Sequence, residues 1–256
     1  MVEVVGSNPI PPKAGCSKRD SLFCFQDEVP FFGYNEIVSE QNWFQYGAKE
    51  LDYLSKNDER LGWAIKQIGF IKRAIEPDFF SSITRSIIGQ QISTAAQRSV
   101  FNKLLLTVGT LNPKNVLALS TEQLQSVGMT SRKAIYIQEI AQKMESSELN
   151  PALFDSMSDQ EVITALVALK GVGVWTAEML LIFSLQRPNI VSWGDLAIVR
   201  GMRMLYQKEK ITKQEFETIT AAYSPYGSIA SLYLWAVAGK KIEGLSDPAP
   251  PKKKRT

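Results

Sequence analysis

Histidine is absent from the 256 residues, and cysteine occurs only twice, at Cys16 and Cys24. The first absence leaves Asp, Glu, Lys, Tyr or water for any acid–base step. The second excludes a four-cysteine metal site or iron–sulfur cluster and argues against a disulfide framework. No apolar run is long enough to span a bilayer, and no signal peptide is evident. Convincing strand alternation is also missing, as is any short-period repeat. Charge of one sign is scarce: 29 Lys and Arg against 26 Asp and Glu leave a formal +3. That surplus is too small to prove nucleic-acid binding, although Lys252, Lys253, Lys254 and Arg255 concentrate part of it at one end.

What is present is helical. At 45% hydrophobic residues the chain can bury one large or two small packed units. From Tyr46 onward apolar residues recur at helical spacing: Ala48, Leu51 and Leu54, then Leu61, Ile65 and Ile68, then Phe79, Ile83 and Ile87. Start signals punctuate them. Asp58, Asp78 and Ser93 each stand where a helix would open. Ser120 with Gln123, Ser158 with Glu161 and Thr212 with Glu215 have capping-box spacing. Pro225 suits the first turn of a last helix that Gly239 closes. The expectation from these patterns is an all-α protein.

The most informative stretch is LKGVGVWTAEMLLIFSLQRPNIVSWGDLAIVR, residues 169–200. The helix opened by Ser158 is expected to end at Lys170. Gly171 and Gly173 then permit a turn that side chains would obstruct. A second helix is expected from about Trp175 to Leu185, stopped by Arg187-Pro188. Such a hairpin presents backbone N–H groups and the positive end of a helix dipole to an anion. Asp195 follows Gly173 by 22 residues, one helix and one loop later. On its own, Gly194-Asp195 ahead of Leu196, Val199 and Met202 is an N-cap. Behind a phosphate-gripping hairpin it is also a carboxylate returned to the gripped strand.

This stretch resembles the helix-hairpin-helix, Gly/Pro-rich loop, Asp (HhH-GPD) superfamily of DNA glycosylases, and within it the 3-methyladenine DNA glycosylase II branch. IIGQQIS at 87–93 and YSPYGSIASLYLW at 223–235 fit the same branch. The resemblance implies two helical subdomains with a cleft between them, and a monofunctional glycosylase that flips an alkylated purine out of duplex DNA and hydrolyses its N-glycosidic bond in base excision repair. It implies Asp195 as the catalytic carboxylate, Gln91 as the side chain inserted into the base stack, and Trp175 and Tyr223 as base-pocket residues; Met179, one turn after Trp175, and Trp193, two residues before Asp195, are expected to line the same pocket by their positions. Gly171, Gly173, Val174 and Thr176 would grip the DNA backbone. Leu169 and Val172 would offer carbonyls to a structural Na+ or K+. No other cofactor is required, and no iron–sulfur cluster is expected. Bifunctional relatives carry a Schiff-base Lys two residues after the second hairpin Gly; Trp175 stands there, so no lyase step is expected.

Residues 1–33 read as a poorly ordered leader, 34–243 as the helical glycosylase domain, and 244–256 as a basic flexible tail. Arg132 and Lys133, after a second glycine turn, read as an auxiliary phosphate contact or a solvated helix start. The partner is double-stranded DNA containing damaged bases, with no membrane and a monomeric protein. The location is cytoplasmic, with a bacterial nucleoid, or nuclear if the PKKKR tail is an import signal. Two other functions stay open: a same-fold glycosylase for hypoxanthine or an oxidised or mismatched base, and a non-catalytic DNA-binding helical module.

Overall fold

The computed structural model describes residues 43–250. The expected leader, both cysteines and the basic run at 252–255 lie outside the described residues. Within them the chain is helical, and the one β-type contact is an isolated bridge from Trp43 to Ala74. Twelve α-helices follow in order: α1 Ala48–Asn57, α2 Glu59–Ile68, α3 Phe79–Gly89, α4 Thr94–Val108, α5 Pro113–Leu117, α6 Thr121–Ser126, α7 Ser131–Glu145, α8 Asp159–Val167, α9 Val174–Phe183, α10 Leu196–Tyr206, α11 Lys213–Ala221 and α12 Gly227–Ala238. A 3₁₀ turn, Pro151–Ser156, precedes α8.

The start signals act as read. Asp58, Asp78 and Ser93 accept the N3 backbone N–H of α2, α3 and α4, satisfying one of the donors a helix start leaves unpaired. The boxes at Ser120, Ser158 and Thr212 close reciprocally. Boundaries moved at three places, one of them α9, which ends at Phe183 and not at Leu185. The helix before the hairpin stops at Val167, not Lys170, because Leu169 is already part of the turn. Pro225 lies outside α12, which Tyr226 caps, and the Ser224–Pro225 peptide is cis.

Packing separates the helices into two groups. α2 packs on α1, α10 and α12, and α10 packs along α12; α3 packs on α4, α7 and α9, with α5 and α6 on α7 and α8 on α9. α12 is buried at every residue and α9 at all but Val174, Trp175 and Glu178, as strongly apolar helices must be. Gly201 permits the α10–α12 contact: a Cβ there would stand 2.1 Å from the Leu234 carbonyl oxygen. The stretch expected to be a flexible tail is partly anchored. Arg203 Nε donates to Asp247 Oδ1 at 2.9 Å, and Leu245 packs against the core.

Candidate functional site

The hairpin forms where the two glycines stand, and they do different jobs. Val172 N–H donates to Leu169 C=O at 3.1 Å, closing the turn. Gly171 has φ +84°, and a Cβ there would meet the Tyr136 ring at 2.3 Å. It is therefore glycine for internal reasons, left-handed backbone and a ring of α7 lying on it. Gly173 is exposed at φ −96°, with nothing within 4 Å of where a Cβ would be. It N-caps α9, and being glycine it places no side-chain cap over the first turn. Beside it Val174 is 54% exposed. An unhindered, side-chain-free helix start is open to close approach by an external anion. Thr176 does not share that surface. It is buried, because α9 turns its third residue inward against the cavity described below.

α9 runs through the core and the chain returns through residues 186–194. That loop is bonded to the start of α12. Ser228 N–H donates to Pro188 C=O at 2.9 Å, Ile190 N–H to Ser228 Oγ at 3.0 Å, and Ser231 Oγ to Ile190 C=O at 2.9 Å. It delivers Asp195 as the N-cap of α10. Asp195 Oδ1 accepts from Ala197 N–H at 2.8 Å and Ile198 N–H at 2.9 Å, and Oδ2 accepts from the Trp175 indole Nε1–H at 2.9 Å. The residue is 5% exposed. Its oxygens are shielded from solvent and held by two backbone donors and one indole donor. Trp193 and Leu196, on either side, are 38% and 60% exposed. Both readings of Asp195, cap and poised carboxylate, fit the one geometry.

Trp175 also lines a cavity of about 600 Å³, counting its solvent-open part, together with Met179, Phe183, Arg73, Glu76 and Arg85. The lining thus combines apolar and aromatic residues of α9 with charged side chains, and the Arg73 guanidinium lies 4.9 Å over the Phe183 ring. Arg85 Nη2 lies 3.5 Å from Glu76 Oε2 and its guanidinium sits 3.7 Å over the Phe101 ring. Burial raises the Glu76 carboxyl above its ordinary range, and the Arg85 charge pulls it back. A second carboxyl, Glu178, stands one turn after Trp175 on α9 and accepts the Ser192 hydroxyl. Burial raises it, and the negative charge of Asp195 adds to the rise.

Of the expected pocket residues, Trp175 and Met179 line the cavity and two do not. Tyr223 is 0% exposed. Its hydroxyl pairs with Tyr206 Oη at 2.7 Å, and Tyr206 in turn donates to Asp58, so the ring is held in the core by its polar end. Trp193 turns toward α11, edge-on to Phe216 with centroids 5.0 Å apart. Gln91 is exposed at φ +61° between α3 and α4, an uncommon backbone for a side-chain-bearing residue. Lys133 is not offered to a phosphate; its ammonium donates to the Ile88 and Gln90 carbonyls at 2.8 and 2.7 Å. Neither the Glu76–Arg85 pair nor Glu178 was found from the sequence. Their partners come from other elements, and no local spacing marks a charge that will be buried.

Comparison with known proteins places this arrangement. The family model described as "HhH-GPD superfamily base excision DNA repair protein" matches residues 84–225. DNA-3-methyladenine glycosylase 1 of Schizosaccharomyces pombe is 30% identical over 210 residues, 78% of this chain and 91% of the relative. The crystal structure of a DNA-3-methyladenine glycosidase from Bacillus halodurans superposes with a TM-score of 0.71 at 32% identity, covering 77% of this chain and 92% of that one. The Schizosaccharomyces pombe 3-methyladenine DNA glycosylase in complex with abasic DNA gives 0.67 at 27% identity, covering 77% and 98%.

Proposed function

The chain belongs to the HhH-GPD superfamily of base excision DNA repair proteins, and from that premise we propose that it is a monomeric, monofunctional DNA glycosylase that removes alkylated purines from duplex DNA. The single observation that carries this reading is the contact between the Trp175 indole and Asp195. It ties the carboxylate to a ring that lines the cavity and that belongs to the first turn of α9. The α9 N-terminus grips a phosphate, the cavity takes the extruded base, and Asp195 stands beside the sugar that joins them. Breaking the N-glycosidic bond develops positive charge on that sugar. A fixed carboxylate stabilises the charge and orients the attacking water. A 3- or 7-alkylated purine is itself cationic and leaves readily, so a strong general acid is not needed. That suits a chain with no histidine.

Two further points support the absence of a lyase step. Position 175 is Trp, and the nearby Lys170 is bonded to Glu139 at 2.7 Å, which raises its pKa and keeps it protonated. An amine nucleophile needs the opposite shift. The Leu169 and Val172 carbonyls are our candidates to hold a monovalent cation between hairpin and phosphate; Leu169 O keeps one lone pair after accepting the Val172 N–H. The test is base-release profiling by mass spectrometry on alkylated duplex DNA, with Asp195→Asn beside the wild type. Release of 3-methyladenine and 7-methylguanine by the wild type alone is expected. Release of only hypoxanthine or oxidised bases would give the site to another lesion, and equal release by both proteins would remove Asp195 from the chemistry.

A further inference from the structure

The loop that carries Gln91 is tied to the hairpin by side chains with no assigned role. Gln90 Nε2 donates to the Gly171 carbonyl at 2.7 Å. Lys133, from the first turn of α7, donates to the carbonyls of Ile88 and Gln90 at 2.8 and 2.7 Å. Those are carbonyls at the C-terminal end of α3, where a cation is favoured by the dipole and fills acceptors the helix leaves open. Burial lowers the Lys133 pKa, so the ammonium is given up by water in exchange for these bonds. Three residues further along α7, on the same face, the Tyr136 ring lies against Gly171. The result is a closed triangle. α7 touches the wedge loop through Lys133 and the hairpin through Tyr136, and Gln90 joins the wedge loop to the hairpin directly.

We propose that Lys133 and Gln90 are positioning residues that hold the Gln91 side chain at a fixed offset from the phosphate grip. This rests on the glycosylase reading above. Gripping the backbone at Gly173 then sets the insertion point of Gln91 without a separate search. The left-handed backbone of Gln91 points the same way: a strained tip persists only where its surroundings over-determine it. The cost of unstacking a base is met by filling the vacated space, so a wedge that swings freely loses the advantage of the grip. Single-stranded DNA has no stack to fill and makes no use of the brace.

The experiment compares the full chain with Lys133→Met and Gln90→Met. The first readout needs no catalysis: 2-aminopurine fluorescence in a duplex, beside an abasic-site analogue, at saturating protein. Both variants are expected to show at least a fivefold smaller rise than the wild type. Lys133→Arg, which keeps the charge and the donors, should restore at least half of it. The second readout is base release from one alkylated sequence as duplex and as single strand. The variants should lose about tenfold on the duplex and stay within about twofold on the single strand. Wild-type fluorescence in the variants would overturn the brace, and so would an equal loss on both substrates or the same thermal unfolding deficit in Lys133→Met and Lys133→Arg. Absence of base release by the wild type would instead count against the glycosylase reading, with the fluorescence still deciding the brace.

Discussion

At Asp195 two oxygens serve three donors, so the carboxylate is held at both ends. Asn retains one carbonyl oxygen, which can still cap α10, and Asn is itself a good N-cap. Asp195→Asn is therefore expected to fold and to bind DNA as the wild type does, while base release falls by at least about 10²-fold, the scale of a lost electrostatic stabiliser. Gel-shift titration beside single-turnover release separates the two effects. Trp175→Phe keeps an aromatic ring in the cavity but removes the donor to Oδ2 along with part of the ring surface. A hydrogen bond to a charged group contributes about 1.5–3 kcal/mol, so kcat should fall about tenfold or more with KM little changed. An unchanged kcat would show that the indole N–H plays no part in holding the carboxylate. The misplaced expectations were also at this scale. Trp193 was expected in the pocket because it lies two residues before Asp195, and Tyr223 because it matches a pocket position of the family. Which way each ring faces is set by Tyr206 and Phe216, residues of α10 and α11 that no local pattern links to them.

Among the elements, the hairpin and the α10–α12 crossing have separable demands. Gly171→Ala puts a Cβ 2.3 Å from the Tyr136 ring at a positive φ, and should cost about 1–3 kcal/mol of stability, read as a lowered urea midpoint. Gly173→Ala meets nothing. It should cost less than about 1 kcal/mol yet weaken DNA binding, because the methyl stands where the phosphate approaches. If both variants lost stability equally, Gly173 would be a structural glycine and the grip would lie elsewhere. Gly201→Ala forces a Cβ against the Leu234 carbonyl. It should lose at least about 3 kcal/mol or fail to fold, since α10 cannot retreat without moving the Asp195 cap. Element existence was legible for most helices because caps and apolar spacing are local, although α5 and the 3₁₀ turn at Pro151–Ser156 went unread. Element ends were less so, as the early stop at Val167 shows, because a turn can recruit the last residues of an apolar stripe.

For the whole molecule, a net charge of +3 gives little long-range attraction for DNA. Binding must come from local phosphate contacts, and affinity should fall linearly on a log–log salt plot, with a slope of about −0.9 per phosphate neutralised. A salt-independent Kd would rule out the phosphate grip. By itself the sequence determined the all-α class, most helix starts, the hairpin glycines and the place of Asp195 after them, because each is a property of neighbouring residues or of a motif with fixed spacing. Only the tertiary structure decided what surrounds them: the indole on Asp195, the Glu76–Arg85 wall, the burial of Tyr223 and the Lys133–Gln90–Gly171 brace. Each of those joins residues from different elements. Side-chain direction there is set by which helix packs opposite, and that information is spread over the whole core, not written beside the residue it orients.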